Sequence, residues 1–168
     1  MDIKYNLKKG TATIIGCDPK PTGDLIIPDA IDGFPVTSIS NFAFAWCDEL
    51  TGVTIPNRVT AIARYAFYQS RKLTSIVLPN SLTEISEGMF GGCVSLTNVT
   101  IPDSVTKIGK SAFAWCTGLT SIVIPNNVTS IGDYAFHQCS NLTSITILNN
   151  LTKIGDYAFP NHTVITKT

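Results

Sequence analysis

The stretch Ile101-Pro102-Asp103-Ser104-Val105-Thr106-Lys107-Ile108-Gly109-Lys110-Ser111-Ala112-Phe113-Ala114-Trp115-Cys116-Thr117-Gly118-Leu119-Thr120-Ser121-Ile122-Val123 decides the fold, because variants of it fill almost the whole chain. Its phenylalanine recurs at Phe44, Phe67, Phe90, Phe113, Phe136 and Phe159, each 23 residues after the last. A fixed period of that size marks a solenoid, in which each repeat buries its apolar face only by stacking on its neighbours.

Within the unit, apolar residues fall three and then two apart: Leu73, Ile76, Leu78; Leu96, Val99, Ile101; Leu119, Ile122, Ile124. With β-branched neighbours this spacing predicts a short strand entered from a bend. Pro79, Pro102 and Pro125 follow, and a proline cannot donate to the next rung, so it ends the ladder. A second extended piece is predicted at Val59/Ile62, Leu82/Ile85, Val105/Ile108, Val128/Ile131 and Leu151/Ile154, again with its apolar residues toward the core. The next position holds Ser40, Ala63, Ser86, Gly109, Gly132 and Gly155. Ala63 shows that a positive φ is not required there, so close approach of neighbouring backbones explains the small residues. Apolar residues at i, i+1 and i+4, as in Ala112-Phe113 to Cys116, predict a single helical turn facing inward.

The start differs. Ile3–Leu7 and Thr11–Ile15 alternate apolar and polar around Lys8-Lys9-Gly10, which predicts a β-hairpin that caps the open end of the solenoid. Gly16 to Asp24, dense in Pro and Gly, reads as a connection. Leu25-Ile26-Ile27-Pro28 opens the first coil, and Asp32-Gly33-Phe34-Pro35 accounts for extra residues before Pro56, expected to bulge at one edge. Residues 1–24 are thus expected to form the cap and connection, and residues 25–168 a solenoid of about six coils, the whole being one structural domain.

The phrase Ile124-Pro125-Asn126-Asn127-Val128-Thr129-Ser130-Ile131-Gly132-Asp133-Tyr134-Ala135-Phe136-His137-Gln138-Cys139-Ser140-Asn141-Leu142-Thr143-Ser144-Ile145 resembles the BspA-like class of leucine-rich repeat, and the likeness runs from about Leu25 onward. It implies a curved, right-handed, mainly β solenoid with one short parallel strand per coil on the concave face. It also implies a surface or secreted protein of host-associated microbes, several of whose relatives are adhesins for extracellular-matrix proteins. The departures are local: Leu148 for the proline, Ser70 for the cysteine, Gly88-Met89 for the aromatic-Ala pair, and Pro160-Asn161-His162 in a final coil expected to fray. The opening Met1-Asp2-Ile3-Lys4-Tyr5-Asn6 lacks the apolar run of a signal peptide, which leaves a cytosolic location open beside the surface one.

Composition narrows the function. Twelve basic and twelve acidic residues give no net charge, hence no field to gather nucleic acid or anionic lipid, and no segment is long and apolar enough to span a bilayer. Cys47, Cys93, Cys116 and Cys139 share one repeat position, so they form a line at ~4.8 Å per coil, whereas zinc needs ligands converging on a point. Ser70 in the same slot indicates a buried small side chain, and Cys17 is expected to be a free thiol in the cap. His137 and His162 lie on different coils with no nucleophile and carboxylate to complete a triad. Gly88, Gly91 and Gly92 read as a loose turn, and no phosphate loop or Cys-x-x-Cys is present. These features predict neither enzyme nor cofactor. Sequons at Asn98, Asn127, Asn141 and Asn150 follow from the recurrent Val-Thr and Leu-Thr pairs, and Asn161-His162-Thr163 matches the same pattern. Arg64, Glu87, Lys110 and Asp133 share a column, as do Glu84 and Lys107, so opposite charges are expected to register neighbouring coils.

What remains is surface. The outward first-strand positions form three columns: Thr51, Thr74, Thr97, Thr120, Thr143; Gly52, Ser75, Asn98, Ser121, Ser144; and Thr54, Val77, Thr100, Val123, Thr146. They carry no charge, and short hydroxyl and methyl side chains lower the ordering cost of binding, so this face is the first candidate for a protein ligand. The same residues also simply suit strands. A second face carries Phe42, Tyr65, Tyr134 and Tyr157, with Trp46 and Trp115 in one further column and Tyr68 and His137 in another. These aromatics are secondary interface candidates, although packing across coils explains them as well. A spacer role within a larger surface protein and glycan binding are the competing readings, the latter weakened because the first-strand columns lack aromatic platforms. Self-association through the solenoid ends stays open.

Overall fold

The computed structural model describes residues 2–148 and 151–167; Met1, Asn149, Asn150 and Thr168, and with them the asparagine of one sequon, lie outside the described residues. The start of the chain supplies β1 (Asp2–Lys8), β2 (Thr11–Asp18), β3 (Gly23–Ile26), β4 (Ala30–Ile31) and β5 (Phe34–Ile39). Each later coil then contributes two short strands: β6 (Leu50–Thr54) and β7 (Ala61–Ile62), β8 (Ser75–Val77) and β9 (Glu84–Ile85), β10 (Asn98–Val99) and β11 (Lys107–Ile108). The pattern continues with β12 (Ser121–Ile124) and β13 (Ser130–Ile131), β14 (Ser144–Ile147) and β15 (Lys153–Ile154), and ends on β16 (Val164–Lys167). No helix occurs among the described residues.

First strands stack in parallel, in the order β3, β6, β8, β10 and then β12, β14, β16. Second strands make a separate row, β2, β5, β7 and then β9, β11, β13, β15. Pairing follows the repeat, as in Ile122 opposite Ile145 and Lys107 opposite Ser130, so columns of the sequence become columns of the structure. The inward residues are buried in both rows, and between them Phe44, Phe67, Phe90, Phe113 and Phe136 are fully enclosed. Their rings stack with centroids 5.5, 5.8, 5.3 and 5.1 Å apart, and Phe159 extends the stack at 5.8 Å. Ile154 departs from its column: it is exposed, because no further coil of the described chain lies over it.

The side that carries these phenylalanines is a string of tight turns, not the helical turn that the apolar spacing predicts. Its N–H groups alternate. Tyr68 and Ser70 donate within the coil, to Tyr65 O at 3.0 Å and Phe67 O at 3.2 Å, while Phe67 and Gln69 donate to the next coil, to Met89 O at 3.0 Å and Gly91 O at 2.8 Å. A helix would spend all these donors on itself and leave nothing to join coils. The alternation requires left-handed residues at Phe42, Tyr65, Gly88, Ser111, Tyr134 and Tyr157, and again four residues later at Trp46, Gln69, Gly92, Trp115 and Gln138. For a non-glycine residue that conformation costs about 1–2 kcal/mol, offset here by the inter-coil bonds.

The start does more than cap. β1 and β2 pair antiparallel about a two-residue turn, Lys9-Gly10, with Lys8 already paired to Thr11. β2 runs on to Asp18 and β3 begins at Gly23, so the connection is shorter than Gly16 to Asp24. Ser40 N–H bonds Ile14 O at 2.8 Å just as Ala63 N–H bonds Ile39 O at 2.9 Å, which puts β2 in the second-strand slot of a preceding coil. The extra residues of the first coil form a small hairpin, β4 against the start of β5, turning at Asp32 and Gly33. Tyr5 donates its hydroxyl to Asp32 and ties that hairpin to the cap.

The small-residue column has the predicted cause. Gly109, Gly132 and Gly155 have no left-handed φ, yet a Cβ on them would stand 2.7, 2.6 and 2.3 Å from the backbone nitrogens of Glu87, Lys110 and Asp133. Gly132→Ala should therefore force the coils apart and cost about 1–3 kcal/mol, read as a lower urea midpoint. Ala63→Gly, one column member away from any such clash, should cost less than about 1 kcal/mol; equal losses from both would show that the approach distance is not what selects glycine.

Candidate functional site

The first-strand face starts from its hydrogen bonds. Thr74, Thr97 and Thr143 donate their hydroxyls to the carbonyl of the threonine one coil earlier, at 3.0, 3.5 and 3.3 Å, so this column spends its donors on joining coils and offers methyls and lone pairs outward. The other two columns are more open. Ser75, Asn98 and Ser121 are exposed and Ser144 half-buried, while Thr54, Val77, Thr100 and Val123 stand exposed beside half-buried Thr146. β3 extends these columns in a way the repeat spacing hides: Asp24 pairs opposite Gly52 and Ile26 opposite Thr54. Asp24 brings a carboxylate to one end of the face, where it accepts from Thr51 Oγ1 at 2.7 Å. A Cβ on Gly52 would lie 2.6 Å from Asp24 Oδ1, which explains the glycine in a column of hydroxyls.

The face has a centre. Among the described residues no ladder pair joins β10 to β12, and a pocket of about 280 Å³ opens there, lined by Asn98, Thr100, Ser121 and Val123 together with Leu148 and one acidic residue, Asp103. Thr120, at the break, makes no hydroxyl bond of the kind its column otherwise makes, and Asn98 and Ser121 likewise have no side-chain partner among the described residues. The structure thus brings together four of the first-face candidates and leaves their polar groups free for a ligand. Repeat spacing could not show this, because the break is a property of two neighbouring coils.

On the turn side the aromatics gather in two clusters. Phe42 stacks on Trp46 and Tyr65 at 5.7 and 5.1 Å, with Tyr68 edge-on to Trp46 and Tyr65. Farther along, Tyr134 stacks on Tyr157 at 5.4 Å, with His137 edge-on to Tyr134 and Trp115. The rings pack on one another yet stay accessible, Trp115 at 56 % and Tyr157 at 68 %.

The thiol line is structural. Cys93, Cys116 and Cys139 donate Sγ–H to the carbonyls of Phe67, Phe90 and Phe113 at 3.1, 3.1 and 3.0 Å, and Ser70 does the same to Phe44 O at 2.7 Å. The slot therefore demands a small donor that ties one coil to the preceding one. Burial pushes the Cys93 and Cys139 thiols up to about 12 and Cys116 well above its ordinary value. Cys17, half-buried on β2, abuts Cys47. Among the described residues no three potential ligands converge on a metal position, and no helix is long and apolar enough to cross a membrane. Glu84–Lys107 and Arg64–Glu87 pair across coils at 3.6 and 3.5 Å, and Glu49–Lys72 adds a third pair at 2.7 Å. Exposed as they are, such pairs contribute little.

Parallel strand rows, a ladder of tight turns and a stacked phenylalanine core on one period define a leucine-rich-repeat solenoid. The chain belongs to the BspA type leucine rich repeat family, six copies of whose repeat region match over residues 37–166. Among solved structures it is similar to a leucine-rich-repeat protein of T. pallidum, with 28 % identity, a TM-score of 0.82, and coverage of 95 % of this chain and 88 % of that one. The pneumococcal vaccine antigen PcpA shares the fold at 22 % identity and a TM-score of 0.75, over 95 % of this chain and 40 % of the antigen. A leucine-rich-repeat protein of Bacteroides ovatus does so at 23 % identity and a TM-score of 0.63, over 96 % and 68 %. No curated protein matches the chain significantly.

The thiols yield a test. In the native protein a maleimide at pH 8 should label Cys17 first and leave Cys93, Cys116 and Cys139 unlabelled until the chain is unfolded. Because these folded-state thiols hold their protons above the ordinary value of 9.0, stability should be intact below that pH and fall as pH rises from there toward about 12. Cys93→Ser with Cys139→Ser should flatten that alkaline loss in urea titrations while keeping the carbonyl bond, as Ser70 does.

Proposed function

We propose that this chain is a protein-binding module that acts at a microbial cell surface and uses its first-strand face, centred on the break between β10 and β12, to hold host or extracellular-matrix proteins. The observation that carries the reading is the break itself: columns of short neutral side chains open a pocket, bordered by Asp103, where the side chains of Asn98 and Ser121 lack partners among the described residues, as does the neighbouring Thr120 hydroxyl. The flanking Val77 and Val123, 59 % and 52 % exposed, add apolar contact area. Side chains this short lose little rotamer freedom on binding, so contacts made here are retained as affinity. Repeat folds of this kind generally bind proteins, and generally do so without catalysis. The surface location rests on the family resemblance.

Immobilised fibronectin and fibrinogen supply the test, with the wild-type chain beside a variant carrying Thr100→Arg and Thr146→Arg, both matched in circular dichroism and melting. Two arginines on this face should lower saturable binding at least roughly tenfold. Absence of binding by either protein would sink the adhesin reading for these ligands and favour a spacer role; equal binding by both would move the site off this face.

A further inference from the structure

The turn side forms a grid of three columns, and the two aromatic clusters leave a gap in it. At the first left-handed position the coils carry Phe42, Tyr65, Gly88, Ser111, Tyr134; three residues later Ala45, Tyr68, Gly91, Ala114, His137; one more on, Trp46, Gln69, Gly92, Trp115, Gln138. One coil is therefore glycine at all three positions, and the next is small at two of them. These glycines are not a loose turn. Gly88 and Gly92 occupy the same left-handed slots as their neighbours, and a Cβ on Gly88 would stand 2.2 Å from the Tyr65 ring, which leans over it. The result is a cleft of about 570 Å³ with a backbone floor, Tyr65 and Tyr68 on one side and Trp115 on the other.

We propose that this cleft binds an acidic saccharide, a pyranose ring carrying a carboxylate. Four features commit the occupant. The walls are aromatic, and ring faces are electron-rich surfaces that attract the C–H face of a sugar. The glycine floor lets the ligand approach the backbone closely. The polar rim is rich in donors: the Gln69 amide, the Ser111 hydroxyl and the Trp115 indole N–H. Arg71 is the only charged lining residue; it makes no ion pair among the described residues, and its planar fork matches a carboxylate. The same guanidinium disfavours a cationic ligand in an aromatic cage. An extended proline-rich peptide needs a groove open along several coils, and here the flanking clusters close it at both ends. This site lies apart from the first-strand face and goes beyond the protein-binding reading.

The two tryptophans report on it separately. Titration of ¹⁵N-labelled protein with 3′-sialyllactose, a hyaluronan tetrasaccharide, lactose and a proline-rich decapeptide should move the Trp115 indole N–H signal with one or both acidic sugars and leave that of Trp46 in place. The first two arms separate a sialic acid terminus from a uronate polymer. Lactose should bind at least roughly tenfold more weakly than the acidic sugar, and Arg71→Gln should erase that preference. Read on the backbone N–H signals of the floor residues Gly91 and Gly92, Trp115→Asn, which tolerates the left-handed φ of 64°, should abolish the shifts that the acidic sugar causes, whereas Thr100→Arg should leave them unchanged. Exposed Arg71 supplies the decisive variant should Trp115→Asn melt early. No Trp115 shift with either acidic sugar, lactose binding as tightly as both, or a shift with the peptide alone would overturn the proposal.

Discussion

Backbone donors in a chain this short of helix need acceptors, and here a large share of them find one a single coil away. That constraint orders the rest. Strand rows on two sides and the turn ladder on the third all carry hydrogen bonds between neighbouring coils, so the distance between coils is set by peptide geometry. Side chains accept what that distance allows. Glycine stands where backbones nearly touch, a thiol or a hydroxyl where a small donor reaches a carbonyl of the preceding coil, and phenylalanine where a flat ring of fixed spacing can stack on its equivalent.

Much of this was legible because a period converts one inference into many. The buried positions of Leu73, Ile76 and Leu78, the closing proline and the small-residue column follow from spacing and sterics alone, and the coordinates place them accordingly. The turn side misled for a physical reason: apolar residues at i, i+1 and i+4 suit a helical turn and a chain of tight turns equally well. What separates the two is where the N–H groups go, and Phe67 and Gln69 send theirs to the next coil. The aromatic residues at left-handed positions gave no warning, since Tyr65 or Trp115 in that conformation is uncommon. Asp24 escaped notice because β3 stands before the regular repeats, and the break between β10 and β12 because it belongs to no single repeat.

The two exposed faces differ in how a repeat makes a site. On the first-strand face the columns are nearly uniform, and what distinguishes one place from another is a missing rung. On the turn face the columns are deliberately uneven: aromatic, then glycine, then aromatic again. A uniform frame makes either departure conspicuous, because its neighbours hold the backbone in place while one coil changes its side chains.

The fixed register also governs how the chain acquires its shape. The backbone bonds that join the regular coils span about one repeat, so each of these coils closes a loop of similar modest size, and ordering costs are met in similar steps instead of one large one. Structure can then spread outward from whichever pair of coils docks first. The extra hairpin of β4 and β5 shows the corollary: added residues are absorbed inside their own coil, and the strands beyond it keep their partners.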